Sequence, residues 1–154
     1  DPYNSGTSSY TLYSLISEES FGEGYLRRLK EKGSAIGGGS GAVGYQVGKG
    51  KFSIGIIPDY IARMEEEAGL PIIFSYPEDK EITIPSPIAI LRSSSRKWAA
   101  ERFIDFLLSP EGTAKLEELG LEDAFSSDGS GIGRSFSSSE ERDSFLSWID
   151  GIFL

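Results

Sequence analysis

Cysteine and histidine are both missing from this chain of 154 residues. Without cysteine there is no disulfide framework, no thiol nucleophile and no thiolate metal ligand. Without histidine, Ser-His-Asp triads, imidazole metal sites and the commonest general base drop out together. Any catalysis would have to rest on carboxylates, lysine or tyrosine, and no nucleophile elbow or metal motif is present to support it. Positive charge is scarce too: 15 Lys and Arg against 24 Asp and Glu leave a net charge of −9. Nucleic acid and anionic membranes are bound through basic patches, so neither is an expected partner. No apolar run approaches the roughly 18 residues that a membrane span requires. With no initiator Met or leader before Asp1, the chain is expected to be cytosolic, already processed or cut from something longer, and Asp1-Pro2-Tyr3-Asn4 reads as mid-protein sequence.

What is present is globular. Apolar residues make up 38% of the chain and aromatics 12%, enough for one ordinary domain with a core. Capping residues Asn4 to Ser9 precede Tyr10, Leu12, Tyr13 and Ile16 at helical spacing, which predicts a helix from about Thr7 to Glu18. A second helix is predicted over Phe21–Lys32 with a stripe of Tyr25, Leu26 and Leu29, stopped by Gly33. After the glycine-rich stretch Gly37–Gly41, a short helix is expected around Ala42–Val47. Phe52–Ile57 and Pro71–Tyr76 read as buried strands, with a helix opened by Pro58 between them. Glu81–Leu91 carries Pro85 and Pro87, which restrict it to an edge or a crossing between layers. Ala99, Phe103, Phe106 and Leu107 mark an amphipathic helix from Arg96 to Leu108. Ser109-Pro110-Glu111 begins another, which reaches Gly120. Residues 126–139 read as a Ser/Gly loop. Ser137-Ser138-Ser139-Glu140 is a capping box for a final helix with Phe145, Trp148, Ile149 and Ile152 as its stripe. Helices alternating with short apolar strands predict an α/β fold.

Chemistry concentrates at helix beginnings. Ser5-Gly6-Thr7-Ser8 puts hydroxyls and a glycine at a helix amino terminus, where free N–H groups and the helix dipole favour an anion. The same residues also serve as ordinary caps. Ser40-Gly41 repeats the arrangement, although taken alone a flexible loop is the better account of it. Asp59 and Tyr60 follow a predicted strand, the place where open α/β sheets hold ligands. A first-turn acid and a half-buried tyrosine are the simpler account. Glu65-Glu66-Glu67 reads as a solvated helix face.

Order and spacing give these pieces a common meaning. Asp1-Pro2-Tyr3-Asn4-Ser5-Gly6-Thr7-Ser8 resembles the entry into the second lobe of family 1 extracellular solute-binding proteins of bacterial ABC importers. Gly39-Ser40-Gly41-Ala42-Val43, followed by Gln46-Val47-Gly48-Lys49-Gly50-Lys51-Phe52, resembles their second ligand loop and the strand after it. Phe103-Ile104-Asp105-Phe106-Leu107-Leu108-Ser109-Pro110-Glu111-Gly112 is similar to their helix–kink–helix string, and Trp148-Ile149-Asp150-Gly151-Ile152-Phe153 to their final helix. The likeness spans most of residues 1–120.

That resemblance implies a three-layer lobe of the periplasmic-binding-protein type II fold, with a mixed, mostly parallel sheet flanked by helices. It implies residues 1–82 as the second-lobe core and 83–122 as a segment returning to an absent first lobe. Residues 123–154 would be a loop and carboxy-terminal helix on the second lobe. It implies a non-enzymatic, exported protein, periplasmic or extracellular, without cofactor. Its partners would be a small anionic or polar solute and the importer's membrane subunits. Ser5, Gly6, Thr7, Ser8, Ser40, Gly41, Asp59 and Tyr60 become the ligand-binding candidates, with no metal among the expectations. The ferric branch of the family carries adjacent tyrosines where this chain has Pro58-Asp59-Tyr60. The solute is therefore expected to be a phosphonate, sugar phosphate or other organic anion. Ferric iron, and a sensory or regulatory ligand-binding domain of the same fold, are the alternatives. A carboxylate- or lysine-based hydrolase is the enzymatic one. If the first lobe is truly absent, a homodimer through residues 83–108 is expected.

Overall fold

A computed structural model describes residues 1–77, 81–121 and 133–153. Helix accounts for 54% of the described residues, and no strand forms among them. Seven helices are described: α1 (Gly6–Ser17), α2 (Gly22–Glu31), α3 (Ser40–Gly48), α4 (Asp59–Glu67), α5 (Lys97–Leu107), α6 (Pro110–Glu118) and α7 (Ser139–Phe153). The chain divides into two compact units, Asp1–Ile84 with Ser130–Leu154, and Pro85–Gly129.

In the first unit α2 packs against both α1 and α7 around Tyr13, Leu26, Phe145, Leu146 and Ile149. The helical stripes read from the sequence supply all of these but Leu146: Leu26 and Ile149 are fully buried, with Tyr25, Leu29, Trp148 and Ile152 packed beside them. Each helix begins where local chemistry permits. Ser5 caps α1 by accepting the Ser8 amide at 3.2 Å. Ser138, one residue later than the sequence suggests, caps α7 by accepting the Glu141 amide at 3.2 Å. Glu141 returns the favour to the Ser137 amide and hydroxyl, both at 2.6 Å.

The other helix pair of this unit is α3 and α4. Gly39 precedes α3 at φ 141°, a conformation reserved for glycine, and Pro58 precedes Asp59 at the start of α4.

Phe52–Ile57 and Pro71–Tyr76 are where the expected α/β lobe fails. Neither is helical, and no ladder of backbone hydrogen bonds joins either to a neighbour among the described residues. One side is covered: Gly55 lies against Val43 and Val47 of α3, and Ile72 lies against Gly48. The other side is open, with Ile54 83%, Ile56 64% and Ile73 96% exposed. A β-rich composition describes fitness for a pleated, half-buried surface, and a strand exists only when a second backbone pairs with it. Apolar runs alone therefore do not make the mixed sheet, and the three-layer α/β class is replaced here by a helical arrangement.

In the second unit α5 packs on α6. Ser109 caps α6, accepting the Gly112 amide at 3.2 Å while donating its hydroxyl to the Phe106 carbonyl at 2.7 Å. A side chain on Gly112 would strike the backbone of Phe106 and Leu107, so this corner requires glycine. The Ser/Gly loop expected over residues 126–139 lies partly outside the described residues.

Candidate functional site

The amino end of α1 carries the first group of candidates. The Ser5 side chain takes the Ser8 amide and the Ser5 carbonyl takes the Ser9 amide at 3.1 Å. The amides of Gly6 and Thr7 have no acceptor among the described residues, as the first turn of any α-helix dictates. Gly6 is exposed, and nothing lies within 4 Å of where its Cβ would be. Two unsatisfied amides and the dipole of a twelve-residue helix thus meet at one accessible point, while the Ser8 hydroxyl accepts from the Asp1 amino group at 3.4 Å.

The start of α3 is built differently. Ser40 and Gly41 occupy its first turn, but the Glu65 carboxylate of α4 lies against it, 3.5 Å from where a Gly41 Cβ would stand. Glu65 also packs on Gly44, so it is not part of the solvated face expected for the Glu65–Glu67 run; Glu66 and Glu67 are exposed. An acid of the protein's own already faces the positive end of α3, which weakens this terminus for a further anion.

Asp59 opens α4, and Tyr60 beside it is 38% exposed. Asp59 accepts the Tyr76 hydroxyl at 2.7 Å, and Arg63 donates to the same phenol oxygen at 3.2 Å. The guanidinium also lies 3.9 Å from the Asp59 carboxylate and stacks 4.8 Å over the Phe74 ring. Burial and then the Asp59 hydrogen bond hold the Tyr76 phenol above its usual pKa, with Arg63 opposing. Tyr76, Arg63 and Phe74 are members of this cluster that the sequence reading did not single out. The Asp59–Arg63 spacing of i,i+4 was the one local signal for it. Tyr76 reaches the cluster through tertiary packing.

The candidates therefore fall into two places. Ser5, Gly6, Thr7 and Ser8 share the start of α1, which packs on α2. Ser40, Gly41, Asp59 and Tyr60 sit on the α3–α4 pair. A groove at the opposite end of α1 is lined by Ser14, Ser17, Glu18, Gly133 and Arg134, and the Ser14 hydroxyl there accepts the Arg134 amide at 2.9 Å. Among the described residues no three acidic side chains converge as a metal-holding group, and no helix is long and apolar enough to cross a membrane.

The chain belongs to the bacterial extracellular solute-binding protein family, whose sequence model matches residues 3–122. No curated protein and no solved structure matches it.

Proposed function

We propose that this chain forms part of the solute-binding component of a bacterial ABC importer, exported to the periplasm or cell exterior. Its cargo is a small anionic or polar solute such as a phosphonate, a sugar phosphate or another organic anion. The observation that carries this reading is the family match over residues 3–122, which begins at the turn leading into the open amino end of α1. In this reading Ser5, Gly6, Thr7 and Ser8 contact the anionic group. Ser40, Gly41, Asp59 and Tyr60 contribute further polar contacts. Residues 1–82 act as a second-lobe core, and the carboxy-terminal helix packs upon it. Calorimetry with candidate anions tests it. Thr7→Ala should weaken the bound solute by about 1 kcal/mol, the net worth of one hydrogen bond. Unchanged affinity in a folded variant would count against the assignment.

The reading also gives residues 83–108 a covering partner, which is a second copy of the chain if the first lobe is truly absent. Ile88, Leu91, Trp98 and Phe103 are all at least 50% exposed there, while Ile84, Ile90 and Leu107 are half-buried. Exposed apolar residues gathered in one segment favour a contact surface. Sedimentation of the chain at tens of micromolar should show a dimer, and a monomer mass would remove this part of the proposal.

A further inference from the structure

We propose that Tyr3 is a positioning residue for the amino end of α1, strapping the turn that precedes it to α7. The inference rests on the reading of that end as the solute-contacting terminus. The turn over residues 1–5 is shaped by its own short-range bonds. The Ser5 amide donates to the Asp1 carbonyl at 3.0 Å, and the Tyr3 amide to Asp1 Oδ1 at 2.9 Å. The Asn4 side chain donates to Asp1 Oδ2 at 2.5 Å. Bonds between residues so close in sequence fix the turn's form but not its place on the protein. Two features reach beyond it. Pro2 is fully buried, and the Tyr3 hydroxyl donates to the Leu146 carbonyl at 2.6 Å across 143 residues of sequence.

Leu146 lies inside α7 between the buried Phe145 and Ile149, on one of the best-anchored stretches of the first unit. A helix carbonyl has two lone pairs and can accept the phenol beside its own helical bond. The side chain of Tyr3 is otherwise substantially exposed, at 44%, so the attachment is made at its hydroxyl, which also lies within hydrogen-bonding reach of the Asp150 carboxylate of α7. α7 lies outside the residues matched by the family. It thereby holds in register the turn from which Ser5, Gly6 and Thr7 emerge.

The test is Tyr3→Phe in the complete chain, with Tyr13→Phe as a control that cuts the separate link between α1 and Glu141 of α7. The readouts are hydrogen exchange at the Ser5, Ser8 and Ser9 amides and calorimetry with inorganic phosphate. Tyr3→Phe should speed exchange at those amides and weaken phosphate roughly fivefold, the scale of one net hydrogen bond, while amides in α2 and the middle of α7 keep their protection. Tyr13→Phe should lower the unfolding midpoint and leave phosphate affinity unchanged. Unaltered exchange at Ser5, Ser8 and Ser9 in Tyr3→Phe would overturn the strap. So would a uniform loss of protection across α1, α2 and α7, which marks a merely structural residue. Faster exchange at the turn in a chain that takes no phosphate even with Tyr3 intact keeps the strap and overturns the anion reading instead.

Discussion

The phenol of Tyr13 donates to the carboxylate of Glu141, joining the middle of α1 to the first turn of α7. The same carboxylate accepts from the amide and the hydroxyl of Ser137. Hydrogen bonds to the charged form favour it, first from Ser137 and then from Tyr13, and hold the Glu141 carboxyl down at about 2. Tyr13 is in turn held above its usual value, chiefly by the bond to Glu141.

These directions set the pH dependence of folding. Glu141 titrates lower in the folded chain than in the unfolded one, where glutamate lies near 4.3. Between those values the unfolded state binds more protons, so stability drops as the solution is acidified. The contribution is complete above the unfolded value and disappears as pH falls through about 2. Urea midpoints measured from pH 6 down should fall less steeply for Glu141→Gln than for the native chain. Parallel slopes would mean that the three bonds to Glu141 are not made in solution.

Alanine should have opposite effects at two glycines. At Gly112 a new Cβ meets the backbone of Phe106 and Leu107, which cannot step aside as a side chain can. Gly112→Ala should open the α5–α6 corner and destabilise the second unit by about 1–3 kcal/mol. At Gly151, within α7, nothing lies within 4 Å of the new atom. Gly151→Ala should stabilise by a few tenths to about 1 kcal/mol through helix propensity. Chemical denaturation followed by circular dichroism reads both, and equal effects at the two sites would contradict the geometry.

Ferric ion should not bind tightly at the start of α4. Tyr76 and Asp59 do set a phenol against a carboxylate, but Arg63 stands 3.2 Å from that phenol oxygen. A trivalent cation would enter beside a guanidinium that cannot lose its charge. Titration with ferric citrate should give no phenolate-to-iron absorption band. A stoichiometric band, lost in Tyr76→Phe, would reverse the choice between an organic anion and iron.

What the sequence reveals depends on how far apart the cooperating residues are. Helix starts are local events, and Ser5 before α1 and Ser109-Pro110 before α6 can be recognised from a few neighbours. The stripe Phe145, Trp148, Ile149 and Ile152 likewise follows from the helical period alone. The α7 cap lies one residue beyond the expected place because three consecutive serines offer equivalent oxygens, and only Glu141 at the third helical position selects Ser138. The sheet depends on pairing between separate segments, and Phe52–Ile57 contains nothing that names its partner. For the same reason Asp59 was visible as a candidate while Tyr76, on the far side of α4, was not. The Ser40 terminus looked like that of Ser5 until Glu65, brought in by helix packing, distinguished them.

The exposed isoleucines of Phe52–Ile57 and Pro71–Tyr76 have a consequence for the protein's life before it reaches its final assembly. A β-branched stretch whose backbone is unpaired is a template on which another chain can add. Both stretches carry sequence guards against this. Lys49 and Lys51 precede the first and Pro58 closes it; Pro71 and Pro77 bracket the second. Lysine repels a like chain arriving in register, and proline removes the donor that a growing ladder needs at each end. These gatekeepers limit how far an intermolecular ladder can extend along either segment. Replacing Pro58 or Pro77 would therefore show first as lost solubility during expression, before any change in what the protein binds.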